Sequence, residues 1–61
     1  MLEQFSDMAA GHDRARTLAF QYRRPVWLVM LLKPTVALYA FVGPENEFPD
    51  YLTGCIVVAR Y

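Results

Sequence analysis

The apolar stretch from Val26 to Gly43 constrains the fold of this chain more than any other feature, because its single charge, Lys33, lies in the middle and is followed by Pro34. A lysine at the centre of a membrane-spanning helix costs roughly 2.5 to 3.5 kcal/mol on insertion scales. The proline removes a backbone donor and disfavours helix for the residue before it. The stretch therefore predicts two short buried β-strands.

A single membrane span over residues 26–43 is an alternative interpretation of the same stretch. Its eighteen residues just reach the length that a spanning helix needs. Arg23 and Arg24 precede it and an acidic segment follows, which fits an orientation with the N-terminus in the cytoplasm. This alternative would leave the β-branched C-terminal segment without a partner strand.

The length of the chain predicts one small domain, residues 1–61, with a marginal core. A chain of this size buries only about 60% of the surface that it exposes when unfolded. The lone Cys55 cannot form an intramolecular disulfide, and one histidine with one cysteine cannot complete an ordinary zinc site. We therefore predict no metal and no cofactor. Because 56% of the residues are hydrophobic, apolar surface should remain uncovered in the monomer, which favours binding to a partner.

The charges do not favour nucleic acid as a partner. Six basic and six acidic side chains cancel, whereas phosphate neutralisation supplies most non-specific affinity for nucleic acid. The distribution is uneven, since cations dominate residues 14–33 and acids dominate residues 45–50, and it predicts two electrostatic poles. A nucleic-acid-binding protein remains a second alternative, in which the phosphate contacts would come from Arg14, Arg16, Arg23 and Arg24.

Hydrophobic spacing near the N-terminus predicts a short helix over residues 2–10. Leu2, Phe5 and Met8 fall at helical spacing, and acidic residues near the start suit the helix dipole. Gly11 is a typical helix stop.

Two interpretations of residues 12–22 stay open. Alternation of apolar and polar residues predicts a half-buried strand over residues 16–23. A continuous helix through Tyr22 accounts for the same residues at the expense of an internal glycine.

Residues 26–32, residues 35–42 and a last segment from residue 54 or 55 to 61 all have strand composition. The first is apolar on both alternating faces, so both faces must be covered. One short helix covers part of one face only, which predicts a second copy or a partner on the other. The predicted homodimer interface consists of Trp27, Val29 and Leu31.

These elements together predict an α+β fold, in which a short N-terminal helix packs on a three- to four-stranded antiparallel sheet. The pattern contains no repeat and no interdomain linker.

The longest connection, residues 43–51, carries the candidate partner-binding residues. Long connections are uncommon in very small domains unless they serve a function. Aromatic side chains can anchor in a groove of the partner while carboxylates steer the approach. The predicted contact residues are Glu45, Glu47, Phe48, Asp50 and Tyr51. Substitution of Phe48 and Glu47 should weaken partner capture without unfolding the domain.

The sequence predicts no catalytic residue. His12 and Cys55 could supply a base and a thiol nucleophile, but no pattern brings them together. Cys55 begins an apolar strand, where a free cysteine behaves as a small buried hydrophobe. Phosphate-binding loops and paired metal-ligand spacings are absent from the sequence.

The predicted function is that of a non-enzymatic protein-binding module. We expect an inhibitor or regulator that occupies a surface on a larger protein or complex, of the kind that phages and mobile elements direct at host machinery. The first residues lack the basic and apolar regions of a secretory signal, and a lone thiol suits a reducing compartment. The expected location is therefore the cytoplasm.

Overall fold

The computed structural model describes residues 2–61, which form one α-helix packed on a four-stranded antiparallel sheet. The predicted α+β fold is confirmed. The strand order is β1-β3-β2-β4, and the connection before β4 contains two single turns of 3₁₀-helix, Glu45–Glu47 and Asp50–Leu52. The elements are β1 (Leu2–Phe5), α1 (Met8–Tyr22), β2 (Val26–Leu31), β3 (Ala37–Val42) and β4 (Ile56–Arg60).

The N-terminal segment is a strand, so the prediction of a helix over residues 2–10 is wrong at its start. β1 lies along β3, with Leu2 opposite Phe41 and Phe5 opposite Leu38. Backbone pairing with a distant strand overrides the local helical spacing. The helix begins at Met8. Asp7 is its N-cap, because the Asp7 carboxylate accepts a hydrogen bond of 3.0 Å from the Ala10 amide.

Gly11 lies inside α1 and faces the sheet, so the predicted helix stop at this residue is wrong. A Cβ atom at Gly11 would lie 3.2 Å from Leu28 Cδ1 and 3.8 Å from Phe5 Cδ2. The absent side chain lets the helix approach β2 closely, which offsets the low helix propensity of glycine.

The helix continues without interruption to Tyr22, so the alternative of a long helix is correct for residues 12–22 and the predicted strand over residues 16–23 is wrong. It ends at Arg23, whose φ of 53° is left-handed and whose amide donates to the Ala19 carbonyl. This is the usual αL termination of a helix.

The main core lies between α1 and one face of the sheet. Ala15 and Leu18 of the helix are fully buried against Val26 and Ala40 of the two central strands. The β2–β3 register places Leu28 directly opposite Ala40 on this helix-facing side. The predicted strands over residues 26–32 and 35–42 are therefore confirmed, with slightly shorter bounds.

The opposite face of the sheet is covered by the chain itself. Trp27 pairs with Phe41 and Val29 with Tyr39 on this second face. Residues 43–55 connect β3 to β4 and place aromatic rings on these strands, and within this connection Leu52 is fully buried. A second copy or a partner was predicted to cover this face. In the structure, residues 43–55 of the same protomer cover it over the central strands.

Residues 26–43 form β2, a turn with a cis Lys33–Pro34 peptide bond, and β3. Within residues 2–61, no helix has the length and apolar character required to cross a membrane.

Candidate functional site

A cleft of about 320 Å³ opens between the β2–β3 turn and the connection that precedes β4. We call it the turn cleft; it is lined by Leu31, Leu32, Lys33, Tyr51, Thr53 and Gly54. The turn cleft brings Leu31, a predicted interface residue, together with Tyr51, a predicted partner-binding residue. These two residues were predicted to belong to separate surfaces.

Three large apolar side chains are exposed around this end of the sheet. Leu32 is 53% exposed, Tyr51 55% and Val36 68%. Val36 also lines a second, open cleft of about 500 Å³ on the β1 side of the turn, next to Phe5 and Ala37. We call the surface formed by Leu32, Val36, Tyr51 and the turn cleft the apolar end. Leu32 and Val36 were not among the predicted site residues, although their position near Lys33 and Pro34 indicates an exposed turn.

The connection formed by residues 43–55, which we call the acidic connection, is anchored to the sheet through its aromatic residues. The Phe48 ring lies edge-on to Trp27 at 5.8 Å between centroids and to Phe41 at 4.9 Å. Phe48 is half-buried in this position. Because this ring packs against the protomer's own sheet, substitution of Phe48 should cost some stability in addition to the predicted loss of partner capture.

The other predicted partner-binding residues remain accessible. Glu45, Glu47 and Asp50 are exposed. The rings of Tyr51 and Tyr39 meet edge to face, with 6.1 Å between their centroids. Of these residues only Tyr51 lines the turn cleft, whereas Glu47 lies beside Gly43 at the opposite end of β3.

The two predicted electrostatic poles adjoin each other. The Gly43 amide donates to the Pro25 carbonyl at 3.0 Å, so the acidic connection starts beside the turn that carries Arg24. A Cβ atom at Gly43 would lie 3.3 Å from a carboxylate oxygen of Glu47. Basic and acidic groups therefore share one end of the sheet.

The four arginines proposed as phosphate contacts do not form one surface. Arg14 bonds both carboxylate oxygens of Glu3 at 3.0 and 3.1 Å, and this contact raises its pKa above the ordinary value. Arg16 pairs with Asp13 at 2.9 Å and lies over the Tyr61 ring.

Arg23 and Arg24 are exposed, and neither joins an ion pair within residues 2–61. Of the four predicted phosphate contacts, Arg14 and Arg16 are therefore paired with carboxylates, whereas in the described part of the chain Arg23 and Arg24 are not.

The three predicted interface residues do not form an open face. Val29 is fully buried, and Leu31 is half-buried and lines the turn cleft. The Trp27 indole donates to the Gly43 carbonyl at 3.0 Å and carries the Arg60 guanidinium over its ring at 5.0 Å.

His12 and Cys55 lie at opposite ends of β4. His12 hydrogen-bonds the Tyr61 hydroxyl, with the two rings edge-on, whereas Cys55 precedes the strand. Partial burial raises the pKa of the Cys55 thiol, and the nearby Glu45 carboxylate adds a smaller effect in the same direction.

The described part of the chain contains no group of three or more His, Cys, Asp or Glu side chains placed to hold a metal ion. Comparison of the chain with models of protein families, with curated proteins and with solved structures gave no match.

Proposed function

We propose that this chain is a protein-binding module that contacts a larger protein through the apolar end. The observation that carries the proposal is the exposure of Leu32 and Tyr51 at the turn cleft and of Val36 on the β1 side of the same turn, in a chain whose two central strands are covered on both faces. Exposed apolar side chains grouped beside a concave surface are typical of protein interaction sites.

The turn cleft suits a side chain of the partner. Its volume of about 320 Å³ is at the small end of the range for ligand pockets, roughly 300 to 1,000 Å³. Apolar walls from Leu31 and Leu32 and the Tyr51 ring would bury a partner's aliphatic or aromatic group, and Lys33 adds one positive charge to the lining. A central apolar anchor with polar groups around it is the usual anatomy of a binding hot spot.

The acidic connection would supply the polar rim of this interface. Asp50 is exposed next to Tyr51, and the exposed Glu45 and Glu47 continue the acidic surface toward Gly43, so a basic surface on the partner would be complementary. Exposed charges of this kind chiefly affect the rate of association. We propose that the module acts as an inhibitor or regulator by covering a surface of its partner, and that it acts in the cytoplasm, where a free thiol such as Cys55 stays reduced.

Site-specific photocrosslinking in the source cells tests the proposal. A photoreactive phenylalanine analogue is placed at Leu32 or Val36, and the matched control carries it at Phe20, which is 85% exposed on the outer side of α1. We expect a discrete crosslinked protein from positions 32 and 36 but not from position 20. Equal adducts from all three positions, or none from the first two, would overturn the proposal.

Competition by unlabelled variants tests the role of the cleft. Excess unmodified protein should abolish the crosslink at position 36, whereas Tyr51→Ala should compete poorly and Phe20→Ala as well as the unmodified chain. Circular dichroism of each variant separates loss of binding from loss of fold. A Tyr51→Ala variant that is folded and competes fully would remove the turn cleft from the interface.

A further inference from the structure

β1 is an outer strand of the sheet, so one edge of its backbone pairs with β3 and the other edge has no strand beside it within residues 2–61. We call this second side the open edge. β4 is the other outer strand, but its ladder with β2 shifts register between Leu28 and Val29, and such a bulge disturbs the regular backbone of an edge. The β1–β3 ladder runs from Leu2 to Phe5 without a register shift, so β1 keeps a regular outer edge.

The hydrogen bonds of the two central strands fix the direction of the backbone groups of β3. Val26 of β2 exchanges both backbone hydrogen bonds with Tyr61 and therefore faces β4. The Pro25 carbonyl accepts from the Gly43 amide at 3.0 Å, so Gly43 faces β2. Bonding directions alternate along a regular antiparallel ladder, and the β2–β3 ladder has no register shift. The backbone groups of Ala40 therefore face β1.

The same alternation fixes the direction of the backbone groups of β1. Glu3 is opposite Ala40, so Glu3 exchanges backbone hydrogen bonds with β3. The amides and carbonyls of its neighbours Leu2 and Gln4 point the other way, toward the open edge. Each of these two residues therefore offers one donor and one acceptor to a chain that lies beside β1.

The charge on β1 is compensated within the protomer. Natural sheets often carry charged side chains on an outer strand, and these charges oppose pairing with another chain. The charged side chain of β1 is Glu3, and Arg14 binds both of its carboxylate oxygens at 3.0 and 3.1 Å. Gln4 is exposed and uncharged. Neither charge nor backbone geometry therefore opposes an incoming strand at β1.

The open edge leads to the open cleft of about 500 Å³ on the β1 side of the turn. This cleft lies where β1 ends, and it is lined by residues 4–6 and 36–38; we call it the edge cleft. Val36, which is 68% exposed, belongs both to the edge cleft and to the apolar end. The open edge of β1 is therefore continuous with the surface to which the partner was assigned.

We propose that β1 binds an extended segment of the partner as an additional strand of the sheet, with an apolar side chain of that segment in the edge cleft. This inference rests on the proposed function, because it concerns the partner that contacts the apolar end. In such strand addition, main-chain hydrogen bonds supply affinity and pockets beside the strand supply specificity. A second copy of this chain fits less well, since antiparallel pairing of two β1 strands through Leu2 and Gln4 would set Glu3 directly against Glu3 of the other copy.

Two substitutions at Gln4 separate backbone pairing from side-chain contact. Gln4→Pro removes the amide that points to the open edge, whereas Gln4→Ala keeps this amide and shortens the side chain. Proline is tolerated on an edge strand when the missing amide faces away from the sheet. Each variant, with its fold checked by circular dichroism, competes as unlabelled protein against the photocrosslink at position 32, which lies outside the edge cleft. Gln4→Ala should compete as well as the unmodified chain, whereas Gln4→Pro should require at least about five-fold higher concentration, as the loss of one hydrogen bond predicts.

Hydrogen exchange supplies a second measurement that needs no proline. The partner identified by the crosslink is purified and added to the isotope-labelled chain, and amide exchange is followed by NMR. The Gln4 amide should exchange at least about ten-fold more slowly in the complex, whereas the amide of the exposed Arg24 should exchange at an unchanged rate.

The outcomes distinguish this inference from the proposed function. Absence of a crosslink at both positions 32 and 36 would overturn the two together. A crosslink that folded Gln4→Pro and Gln4→Ala inhibit equally would overturn the strand pairing alone. A Gln4 amide that gains no protection in the complex would do the same.

Discussion

The Trp27 indole and the Phe48 ring meet edge to face, with their centroids 5.8 Å apart. This contact fixes the acidic connection to the second face of the sheet, and the Phe41 ring contributes a second edge-to-face contact to Phe48 at 4.9 Å. The Trp27 indole N–H is satisfied by the Gly43 carbonyl at the start of the same connection. The connection predicted to contact a partner is therefore held against the sheet by Phe48, while its carboxylates stay exposed.

Substitution of Phe48 by alanine should lower the free energy of unfolding by about 2 kcal/mol, because a half-buried ring and two aromatic contacts are lost. Urea titration measures the change. Trp27 is the single tryptophan of the chain, so its emission should also move to longer wavelength in the folded variant. Phe20→Ala is the control, since this ring is 85% exposed and its loss should change stability by less than about 0.5 kcal/mol. Equal effects of the two substitutions would contradict the packing described for Phe48.

The capping of α1 by Asp7 leads to a second prediction. Asp7→Ala leaves the Ala10 amide without its side-chain acceptor and should cost about 1 kcal/mol of stability. Asp7→Asn retains an acceptor oxygen and should lose only the interaction of the charge with the helix dipole, about 0.5 kcal/mol. Thermal denaturation of the two variants compares them directly. If asparagine and alanine were equally destabilising, the hydrogen bond would not be the source of the effect.

The close approach of α1 to the sheet at Gly11 leads to a third prediction. A leucine at this position would collide with Leu28 and Phe5, whose atoms already lie within 3.8 Å of a Cβ atom built there. We expect Gly11→Leu to destabilise the protein by about 1 to 3 kcal/mol, as overpacking of a core does. Ala9→Leu, on the exposed side of the same helix, should leave stability unchanged or slightly increased. A stable Gly11→Leu variant would mean that the helix and sheet can separate without loss.

The two central strands could be predicted from the sequence because their signals are local. Residues 26–31 and 37–42 are continuous apolar runs divided by Lys33 and Pro34, and both predicted strands are confirmed. The secondary structure of the N-terminal half was predicted less well, because contacts with residues distant in the sequence determine it. Gly11 is a helix stop by local preference, but here it meets Leu28.

The pairing of β1 with β3 likewise has no local signal in the sequence. The strand character of Leu2–Phe5 depends on an open edge of β3 more than thirty residues away. The same limit applies to the site. Composition identified Tyr51 and Leu31, but their meeting in one cleft depends on the path of residues 43–55 across the sheet, and no periodicity encodes that path.

The raised pKa of Cys55 leads to a prediction about alkaline pH. Partial burial disfavours the thiolate in the folded protein, so the pKa lies above the ordinary value of 9.0 that the unfolded chain should show. The native thiol should therefore react with a disulfide reagent more slowly at pH 8 than the thiol of the urea-unfolded chain, with its rate still rising where the unfolded rate levels off. Equal native and unfolded rates at pH 8 would show that the thiol is fully solvated in the fold.

The same shift affects stability with a definite sign. Because the folded pKa is the higher one, the contribution of Cys55 to stability is complete below about pH 9 and is lost as the pH rises through the folded value. Cys55→Ser removes this group, so the variant should lose less stability between pH 8 and pH 10 than the unmodified chain does. Identical alkaline profiles for the two proteins would show that Cys55 contributes nothing to the pH dependence of stability.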